Sequence, residues 1–429
     1  MGKLLIQNGR VLDPASNLDI KADVLVVDGM VTDISPRLDS AGAERFDASG
    51  MIVAPGFIDM HVHLREPGFE HAETIETGAR AAAAGGFTRV CCMPNTKPVN
   101  DSATVTSYIV ERARRHACVH VHPIGAITKG SEGEELAAIG SLKAAGAVAI
   151  SDDGRPVMNA RVMRRAMETA KSFNIPLINH CEDLNLSAGG DMNEGLESTR
   201  LGLRGIPSAS EDVMVARDIL LAELTGAQYH VAHISTKRSV AMVAYAKAKG
   251  LKITCESTPH HFALADCHMH PYDSSFKMKP PLRALDDVDA VTQGIVDGSI
   301  DVLATDHAPH AGDEKMQEFE RCPFGILGLE TAIGLTLDEL VHKQKISLMR
   351  MVALYTSAPA RVLNLPTGRL YAGGPADITV FAPEREWTYD VNHSYSKSRN
   401  SPFDGRRFRG GPAATIVGGN FIWRYDRDI

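Results

Sequence analysis

The chain has 429 residues, a formal net charge of −8 and 44% hydrophobic residues, which is ample for a folded core and excludes a disordered chain. The acidic balance argues against nucleic acid as a partner, and no uncharged stretch approaches the ~18 residues of a membrane span. The seven cysteines have no regular spacing, so we expect reduced thiols and a cytoplasmic protein.

The first 55 residues predict short β-strands joined by tight turns. Two Asx-Gly pairs, Asn8-Gly9 and Asp28-Gly29, separate runs rich in Val, Leu and Ile, and such pairs are a strong hairpin signal. Residues 377–381 and 415–423 have the same strand-like character. We therefore expect one small β-sandwich domain built from both termini, residues 1–55 with 366–429, although two separate β appendages would give the same pattern.

Between the two ends, in residues 56–365, short Val- and Ile-rich runs alternate with amphipathic stretches, which is typical of α/β folds with a parallel sheet. Eight candidate strands occupy residues 56–61, 88–93, 119–124, 147–151, 176–179, 228–234, 252–256 and 301–305. Helices are predicted at 101–116, 159–173, 210–225 and 237–249, the third with a capping-box spacing from Ser208 to Glu211. The strands span about 250 residues, which favours a (β/α)8 TIM barrel over an open doubly wound sheet.

Residues that commonly bind metals follow several of these strands. Asp59, His61 and His63 alternate at the end of the first strand, so they share one face. The carboxyl ends of barrel strands meet at one mouth, which predicts a shared site. Its members are His61, His63, Asp153, His180, His233 and Asp306. This set suits zinc, manganese or iron better than calcium or magnesium, either as two bridged metals or as one metal with a spare base.

Other histidines offer rival sites. Residues 120–122 form a second His-x-His on a candidate strand but lack evident partners. Residues 267–270, Cys-His-Met-His, resemble half a zinc ribbon without a second half at suitable spacing. His260 and His261 follow the seventh strand, where we expect them to pack or to support the metal ligands.

In combination, five segments resemble the dihydroorotase family, in the cyclic-amidohydrolase branch of the amidohydrolase superfamily. They are 61–68 (HVHLREPG), 93–96 (MPNT), 179–182 (NHCE), 232–235 (AHIS) and 305–310 (TDHAPH), in the family's order. Residues 368–377 and 402–405 resemble its β domain, so the resemblance covers essentially the whole chain. It implies a metal-dependent barrel that interconverts N-carbamoyl-L-aspartate and L-dihydroorotate in pyrimidine (UMP) synthesis.

The resemblance also implies how the metal ligands are shared. One or two Zn²⁺ ions per subunit would bind, the first to His61 and His63 and the second to His180 and His233. Asp306 would ligate metal and serve as the catalytic residue, a general base that becomes a general acid.

The bridge between the metals is a departure from many relatives, which carry a carboxylated lysine at the end of the fourth strand. This chain has Asp152-Asp153 at that place. We expect Asp153 to be the ligand, with Asp152 as the alternative.

The implied substrate contacts lie around the same mouth. They are His63, Arg65, Asn95, His310, Phe324 and Gly325. The guanidinium of Arg65 suits bidentate binding of the substrate carboxylate, and the backbone amides of the loop around Phe324 would meet the ring. Lys279 replaces the small polar residue that is usual in the family, so it would either add a cation near the substrate or point to solvent.

Two alternative functions remain open from the residues. Another cyclic amidase, such as a dihydropyrimidinase, hydantoinase or allantoinase, would not need Arg65 and would normally have the strand-four lysine. A non-catalytic scaffold for aspartate carbamoyltransferase would not need every ligand position to be filled. We expect a small-molecule substrate and a homo-oligomer, a dimer or larger, with association with aspartate carbamoyltransferase also possible.

Overall fold

A computed structural model describes residues 2–425. The strands are β1 (Lys3–Asp13), β2 (Leu18–Val27), β3 (Met30–Ser35), β4 (Glu44–Asp47), β5 (Ile52–Pro55), β6 (Phe57–Val62), β7 (Phe87–Cys92), β8 (His120–Gly125), β9 (Ala149–Ile150), β10 (Leu177–Asn179), β11 (Met192–Asn193), β12 (Gly205–Ile206), β13 (Tyr229–Val231), β14 (Ile253–Ser257), β15 (Val302–Leu303), β16 (Ile378–Thr388), β17 (Arg407–Val417) and β18 (Asn420–Arg424). The helices are α1 (Ile75–Ala84), α2 (Ala103–His116), α3 (Ile139–Ala144), α4 (Ala160–Ser172), α5 (Leu196–Leu201), α6 (Ala209–Thr225), α7 (Lys237–Ala248), α8 (Pro259–Ala263), α9 (Leu285–Asp297), α10 (Gly312–Lys315), α11 (Ala332–Thr336), α12 (Leu348–Tyr355) and α13 (Ser357–Val362). Within residues 2–425, no helix has the length and apolarity needed to cross a bilayer.

Eight parallel strands form a barrel in the order β6-β7-β8-β9-β10-β13-β14-β15. The barrel closes where the His63 N–H donates to the His307 carbonyl at 2.9 Å, beside a parallel bridge between Val62 and His307. Each of these strands overlaps one of the eight predicted from the sequence, so the predicted α/β barrel is confirmed. The closure brings the first and last strands together and aligns the loops that carry the polar residues.

The barrel helices show how amphipathic spacing produces this packing. In α4 the buried residues are Met163, Ala166, Met167 and Ala170, which recur at the spacing of one helix face. Asn159 caps this helix by accepting the Arg161 N–H at 2.9 Å. The helix therefore lays one apolar face on the barrel and leaves its charged face in water.

The capping box predicted at the start of α6 is wrong. Ser208 has helical backbone angles and its side chain makes no capping bond. The carboxylate of Glu211 instead accepts the N–H groups of Ser235 and Thr236, at 3.0 and 3.1 Å, beyond the end of β13. These buried N–H groups would be costly to leave unpaired, so tertiary contacts outweigh the local cap.

Strands from both ends of the chain form one eight-stranded sheet in the order β18-β17-β16-β5-β1-β2-β3, with β4 paired to β1. Its apolar core combines N-terminal residues such as Ile6 and Val24 with C-terminal residues such as Ile378 and Ile416. The alternative of two separate β appendages is therefore excluded. We call this sheet with its core the composite domain.

Two details of the composite domain differ from the sequence prediction. Asn8-Gly9 is not a hairpin turn but a bulge within β1, where the register against β2 shifts and the Asn8 N–H donates to Asp23 Oδ1 at 2.8 Å. The predicted strand 415–423 is two strands, because Gly418 and Gly419 take positive φ values of 53° and 77° and turn the chain. Asp28-Gly29 does form the predicted hairpin between β2 and β3.

Candidate active site

The barrel mouth brings together all six side chains of the predicted metal site. His61 lies in β6, and the others follow the carboxyl ends of β6, β9, β10, β13 and β15. All six residues are buried, at 0–6% exposure. Three groups have ligand atoms within 4.8 Å of one another: His61 with His233 and Asp306, His61 with His63 and Asp153, and Asp153 with His180 and His233. The groups share members, as two adjacent metal positions would.

The ring of His61 is held in one tautomer by a buried carboxylate. Its Nδ1 lies 2.6 Å from Glu256 Oε1, which can only accept, so Nδ1 carries the proton and donates it. The Nε2 lone pair then faces Asp153 Oδ1 and Asp306 Oδ1, both at 3.4 Å, and has no hydrogen-bond partner. A lone pair that faces two carboxylates is repelled by both unless a cation lies between them.

His63 has the same arrangement with an amide in place of the carboxylate. Its Nδ1 lies 2.9 Å from Asn95 Oδ1, and the other end of that amide donates to Asp153 Oδ2 at 3.3 Å. The Nε2 of His63 therefore points inward, 3.0 Å from Asp306 Oδ1 and 3.5 Å from Asp153 Oδ2. Asn95 thus orients a histidine and a carboxylate together.

His180 is oriented by Glu182, two residues further along the chain. The Nε2 of His180 donates to Glu182 Oε2 at 2.9 Å, which leaves Nδ1 facing His233 Nε2 at 2.9 Å. The other oxygen of Glu182 accepts from Lys279 Nζ at 2.7 Å. Lys279 therefore lines the mouth and is paired, rather than pointing to solvent.

The donor set fits a divalent metal. Hydrogen-bond acceptors hold the outer nitrogens of three histidines, as in carboxylate–histidine–metal sites. The inner nitrogens of His61 and His63 face carboxylates, and that of His180 faces His233. The Oδ1 atom of Asp153 is also buried without a hydrogen-bond partner. Nitrogen and oxygen donors of this kind suit zinc and similar ions.

The two aspartates after β9 have different surroundings. Asp152 accepts the N–H groups of Ile127 and Thr128, at 2.8 and 3.1 Å, and the Thr128 hydroxyl. Burial raises the pKa of Asp152 to about 6. Asp153 faces the histidines instead, so the geometry favours Asp153 as the ligand that replaces the carboxylated lysine.

Arg65 lies beside the predicted metal ligands as a half-buried cation. Its Nε donates to the Pro309 carbonyl at 3.0 Å, and one terminal nitrogen lies 3.2 Å from His310 Nε2. Among residues 2–425 its guanidinium forms no ion pair within 4 Å, and burial lowers the pKa of Arg65. Since a partly buried charge without a counter-charge is unfavourable, this position is suited to an anionic ligand.

His310 lies near two groups that its ring cannot both satisfy. Its Nε2 lies 2.8 Å from the Phe324 carbonyl as well as near Arg65, and one ring nitrogen cannot donate to the first and accept from the second. Burial first, and then the charges of Arg65 and Lys315, lower the pKa of His310 to about 2, so the ring is neutral. When Nε2 donates to Phe324, the guanidinium is free to bind a ligand.

The loop at Phe324 and Gly325 borders a cavity of about 350 Å³. Phe324 lines this cavity together with Arg65 and with five of the six predicted metal ligands, all except His61. The amide of Gly325 donates to the Lys277 carbonyl at 2.9 Å, so in this conformation that amide is not available to a ligand. A side chain at Gly325 would lie 2.6 Å from the Ala308 carbonyl, so the close approach requires glycine.

Sequence reasoning missed Glu256 and Glu182, the carboxylates that orient His61 and His180. Glu256 lies in β14 and is fully buried, and an acidic residue within a predicted strand was the available signal. Glu182 is part of the 179–182 segment but was not given a role.

Among residues 2–425, none of the rival histidines belongs to the three ligand groups, although the Nε2 of His260 is buried without a hydrogen-bond partner. His261 bonds Thr258 and the Pro280 carbonyl, at 2.7 and 2.9 Å, and therefore packs as expected. Residues 120–122 start β8, at the opposite end of the barrel. His268, in the 267–270 segment, accepts the Ala265 N–H at 2.9 Å.

Comparison with known proteins gives one family. A family profile described as dihydro-orotase-like matches residues 50–239. Proteins named dihydroorotase are similar along the whole length: that of Solibacter usitatus is 69% identical over 98% of both chains, and that of Pelotomaculum thermopropionicum is 54% identical over 100% of both. An L-hydantoinase structure from Arthrobacter aurescens superposes with a TM-score of 0.87 at 25% identity, covering 99% of this chain and 96% of that chain. The chain belongs to the dihydroorotase family.

Proposed function

We propose that this protein is a zinc-dependent enzyme that closes N-carbamoyl-L-aspartate to L-dihydroorotate and reopens the ring. The observation that carries the proposal is the position of Arg65 beside the histidine and aspartate cluster, where no carboxylate of the described part of the chain pairs with it. L-Dihydroorotate has a carboxylate next to its cyclic amide, so it can satisfy Arg65 and present the amide to the cluster at once. Neutral cyclic amides offer the guanidinium no such partner.

Asp306 is suited to move the proton in both directions. Burial opposes its ionisation, but His61 and His63 outweigh burial and hold the pKa of Asp306 below its usual range. In ring closure its carboxylate would take the proton of the carbamoyl nitrogen as that nitrogen attacks the side-chain carboxyl carbon. It would then return this proton to the departing oxygen, which leaves as water with one further proton from solvent. In ring opening it would accept a proton from the attacking water and return it to the departing ring nitrogen.

The metal would be held by His61 and His63 on one side and by His180 and His233 on the other, with Asp153 between them. When bound, such an ion supplies Lewis acidity, which lowers the pKa of a coordinated water and polarises a carbonyl. Four imidazoles and two carboxylates favour zinc, in one or two ions per subunit.

The substrate would be oriented by groups on three strand-end loops. Arg65 would bind its carboxylate through the guanidinium fork, and Asn95 would supply a donor from one side. His310 would donate its single N–H to the substrate in place of the Phe324 carbonyl. Lys279 is held by Glu182 at the edge of the same cavity, where it adds positive potential near the anion. These contacts favour the dihydroorotate ring over dihydrouracil, which has the ring without the carboxylate.

We also infer a cytoplasmic homo-oligomer, since reduced thiols and a small-molecule reaction suit that setting. Association with aspartate carbamoyltransferase is a further proposal, which co-purification of the two proteins would test. Recovery of an active homo-oligomer without the transferase would argue against a required complex.

A substrate screen with metal analysis tests the proposed function. The purified chain is assayed with dihydroorotate, dihydrouracil, hydantoin and allantoin while its zinc, manganese and iron are measured. We expect kcat/KM for dihydroorotate to be at least about 100-fold higher than for dihydrouracil. A difference of this size is typical of one hydrogen bond to a charged group. Equal use of dihydrouracil would contradict the role of Arg65, and zinc-loaded protein inactive on all four would favour a scaffold.

A further inference from the structure

A short segment between β16 and β17 contacts loops at the barrel mouth, although both strands belong to the composite domain. Residues 396–400, which we call the strap, lie in the connection between β16 and β17. Ser396, Ser398 and Asn400 of the strap are buried, at 2–4% exposure. Buried polar side chains need hydrogen-bond partners, so their contacts identify the loops that the strap holds.

The first part of the strap binds the loop that follows β6, the loop that carries Arg65. The hydroxyl of Ser396 donates to the buried carboxylate of Glu73, and the hydroxyl of Ser398 donates to the Ala72 carbonyl at 2.7 Å. This part therefore fixes the Arg65 side of the mouth.

Asn400 binds the loops on the other side of the mouth. Its Oδ1 accepts the His310 N–H at 3.1 Å, and its Nδ2 donates to the carbonyls of Ala308 and Gly325 at 2.9 and 3.0 Å. Its backbone carbonyl accepts the Leu327 N–H at 2.9 Å. One side chain thus joins the segment that carries His310 to the loop that carries Phe324 and Gly325.

We propose that Asn400 is a positioning residue for substrate binding, and that the strap sets the distance between Arg65 and His310. The inference rests on the proposed function, because it assumes that these two residues meet the substrate carboxylate. Asn400 does not line the cavity, so it acts through the loops that it holds. Displacement of a binding group by about 1 Å weakens a directional contact strongly, which makes such positioning consequential.

The chemistry of the position requires an amide. Asparagine accepts one hydrogen bond from His310 and donates two to the facing carbonyls, so both ends of the side chain are used. Aspartate has the same shape and keeps the acceptor, but places a carboxylate oxygen against the carbonyls of Ala308 and Gly325. Asn400→Asp therefore changes the hydrogen bonds with little change in volume.

The experiment compares Asn400→Asp and Asn400→Ala with the native enzyme and with a matched control, Thr415→Val. Thr415 is buried and donates to the Ala83 carbonyl at 2.6 Å, so the control also loses one buried hydrogen bond, in the composite domain. We expect both Asn400 variants to raise KM for dihydroorotate about tenfold, with kcat within about threefold and metal content unchanged. Unchanged KM, or an equal rise in the control, would overturn the inference.

Two further measurements keep the inference testable if the Asn400 variants do not fold or if the proposed function is wrong. Ser398→Ala removes the hydrogen bond between the strap and the Ala72 carbonyl, and we expect it to raise KM about threefold. An unchanged KM would contradict the positioning role of the strap. Trypsin cleavage after Arg321, which is 75% exposed, needs no activity and should be faster in the strap variants than in the control. A native enzyme inactive on dihydroorotate would refute the proposed function, whereas equal cleavage rates would refute the strap alone.

Discussion

The two ends of the barrel each carry a His-x-His strand and an Arg–His pair, but they satisfy these groups differently. At the mouth, Arg65 lies 3.2 Å from His310 and has no carboxylate partner among the described residues. At the opposite end, Arg89 donates to His122 at 2.6 Å and to Asp377 at 3.2 Å.

The same contrast holds for the histidines. His120, at the far end, bonds Asp377 at 2.9 Å, and that carboxylate also accepts the Gly418 N–H of the composite domain. His61, at the mouth, has its outer nitrogen on Glu256 and its inner nitrogen without a partner. The motif alone therefore does not identify a metal site. Groups left unsatisfied by the protein identify the end that binds ligands, and groups paired within the protein identify the end that joins domains.

The largest expected effect tests whether the mouth performs chemistry at all. Asp306→Asn keeps the shape and a ligand oxygen but removes the base, so kcat should fall about 1000-fold while the metal is retained. Steady-state kinetics with metal analysis measures both quantities. Native turnover by this variant would contradict the assigned role.

A matched pair of carboxylates compares the two ends directly. Glu256→Gln weakens the hold on the His61 tautomer, so metal affinity should fall about 10- to 100-fold. Asp377→Asn removes a partner of Arg89 and His120, so it should lower the free energy of unfolding by about 1–3 kcal/mol and leave metal affinity unchanged. Competition with a chelator and urea unfolding measure these effects. Equal metal loss in both variants would remove the distinction between the two ends.

The two arginines give a smaller, sharper contrast. Arg65→Met should raise KM for dihydroorotate about tenfold or more and leave the metal content unchanged, because it removes the cation that meets the carboxylate. Arg89→Met should leave KM unchanged and lower the free energy of unfolding, because it removes the partner of His122 and Asp377. A rise in KM with Arg89→Met alone would reverse the assignment of the two ends.

The smallest effect is a pH dependence at the far end. Burial first, and then the charge of Arg89, lower the pKa of His122 to about 4, against about 6.5 in an unfolded chain. Between pH 4 and pH 6.5 the unfolded chain binds a proton at His122 that the folded chain does not. The contribution of neutral His122 to the free energy of unfolding is therefore complete above pH 6.5 and is lost as the pH falls toward 4. His122→Gln should reduce this loss by about 1–2 kcal/mol in urea unfolding at pH 7 and pH 5. An identical pH slope in both proteins would exclude His122 as the source.

The alternation of short strands and amphipathic helices predicted the barrel, because both periods are local properties of the chain. It also placed His61, His63 and the later strand-end residues on one face. The Asn8-Gly9 bulge and the missing cap at Ser208 were not predictable, since partners distant in the sequence decided both. Glu256 approaches His61 across 195 positions, and Asn400 approaches His310 across 90, which no local pattern reports.

By itself, the sequence determined the fold class, the family and the set of residues that gather at the mouth. The fold class and the residue set follow from periodicity and from the meeting of strand ends, which need no knowledge of individual contacts. The family follows from the resemblance of five ordered segments. Only the tertiary structure decided that Asp153 rather than Asp152 faces the histidines and that Lys279 pairs with Glu182. It also decided that Arg65 has no carboxylate partner within residues 2–425. Such outcomes depend on which donor meets which acceptor across the closed barrel, and closure brings together residues far apart in the chain.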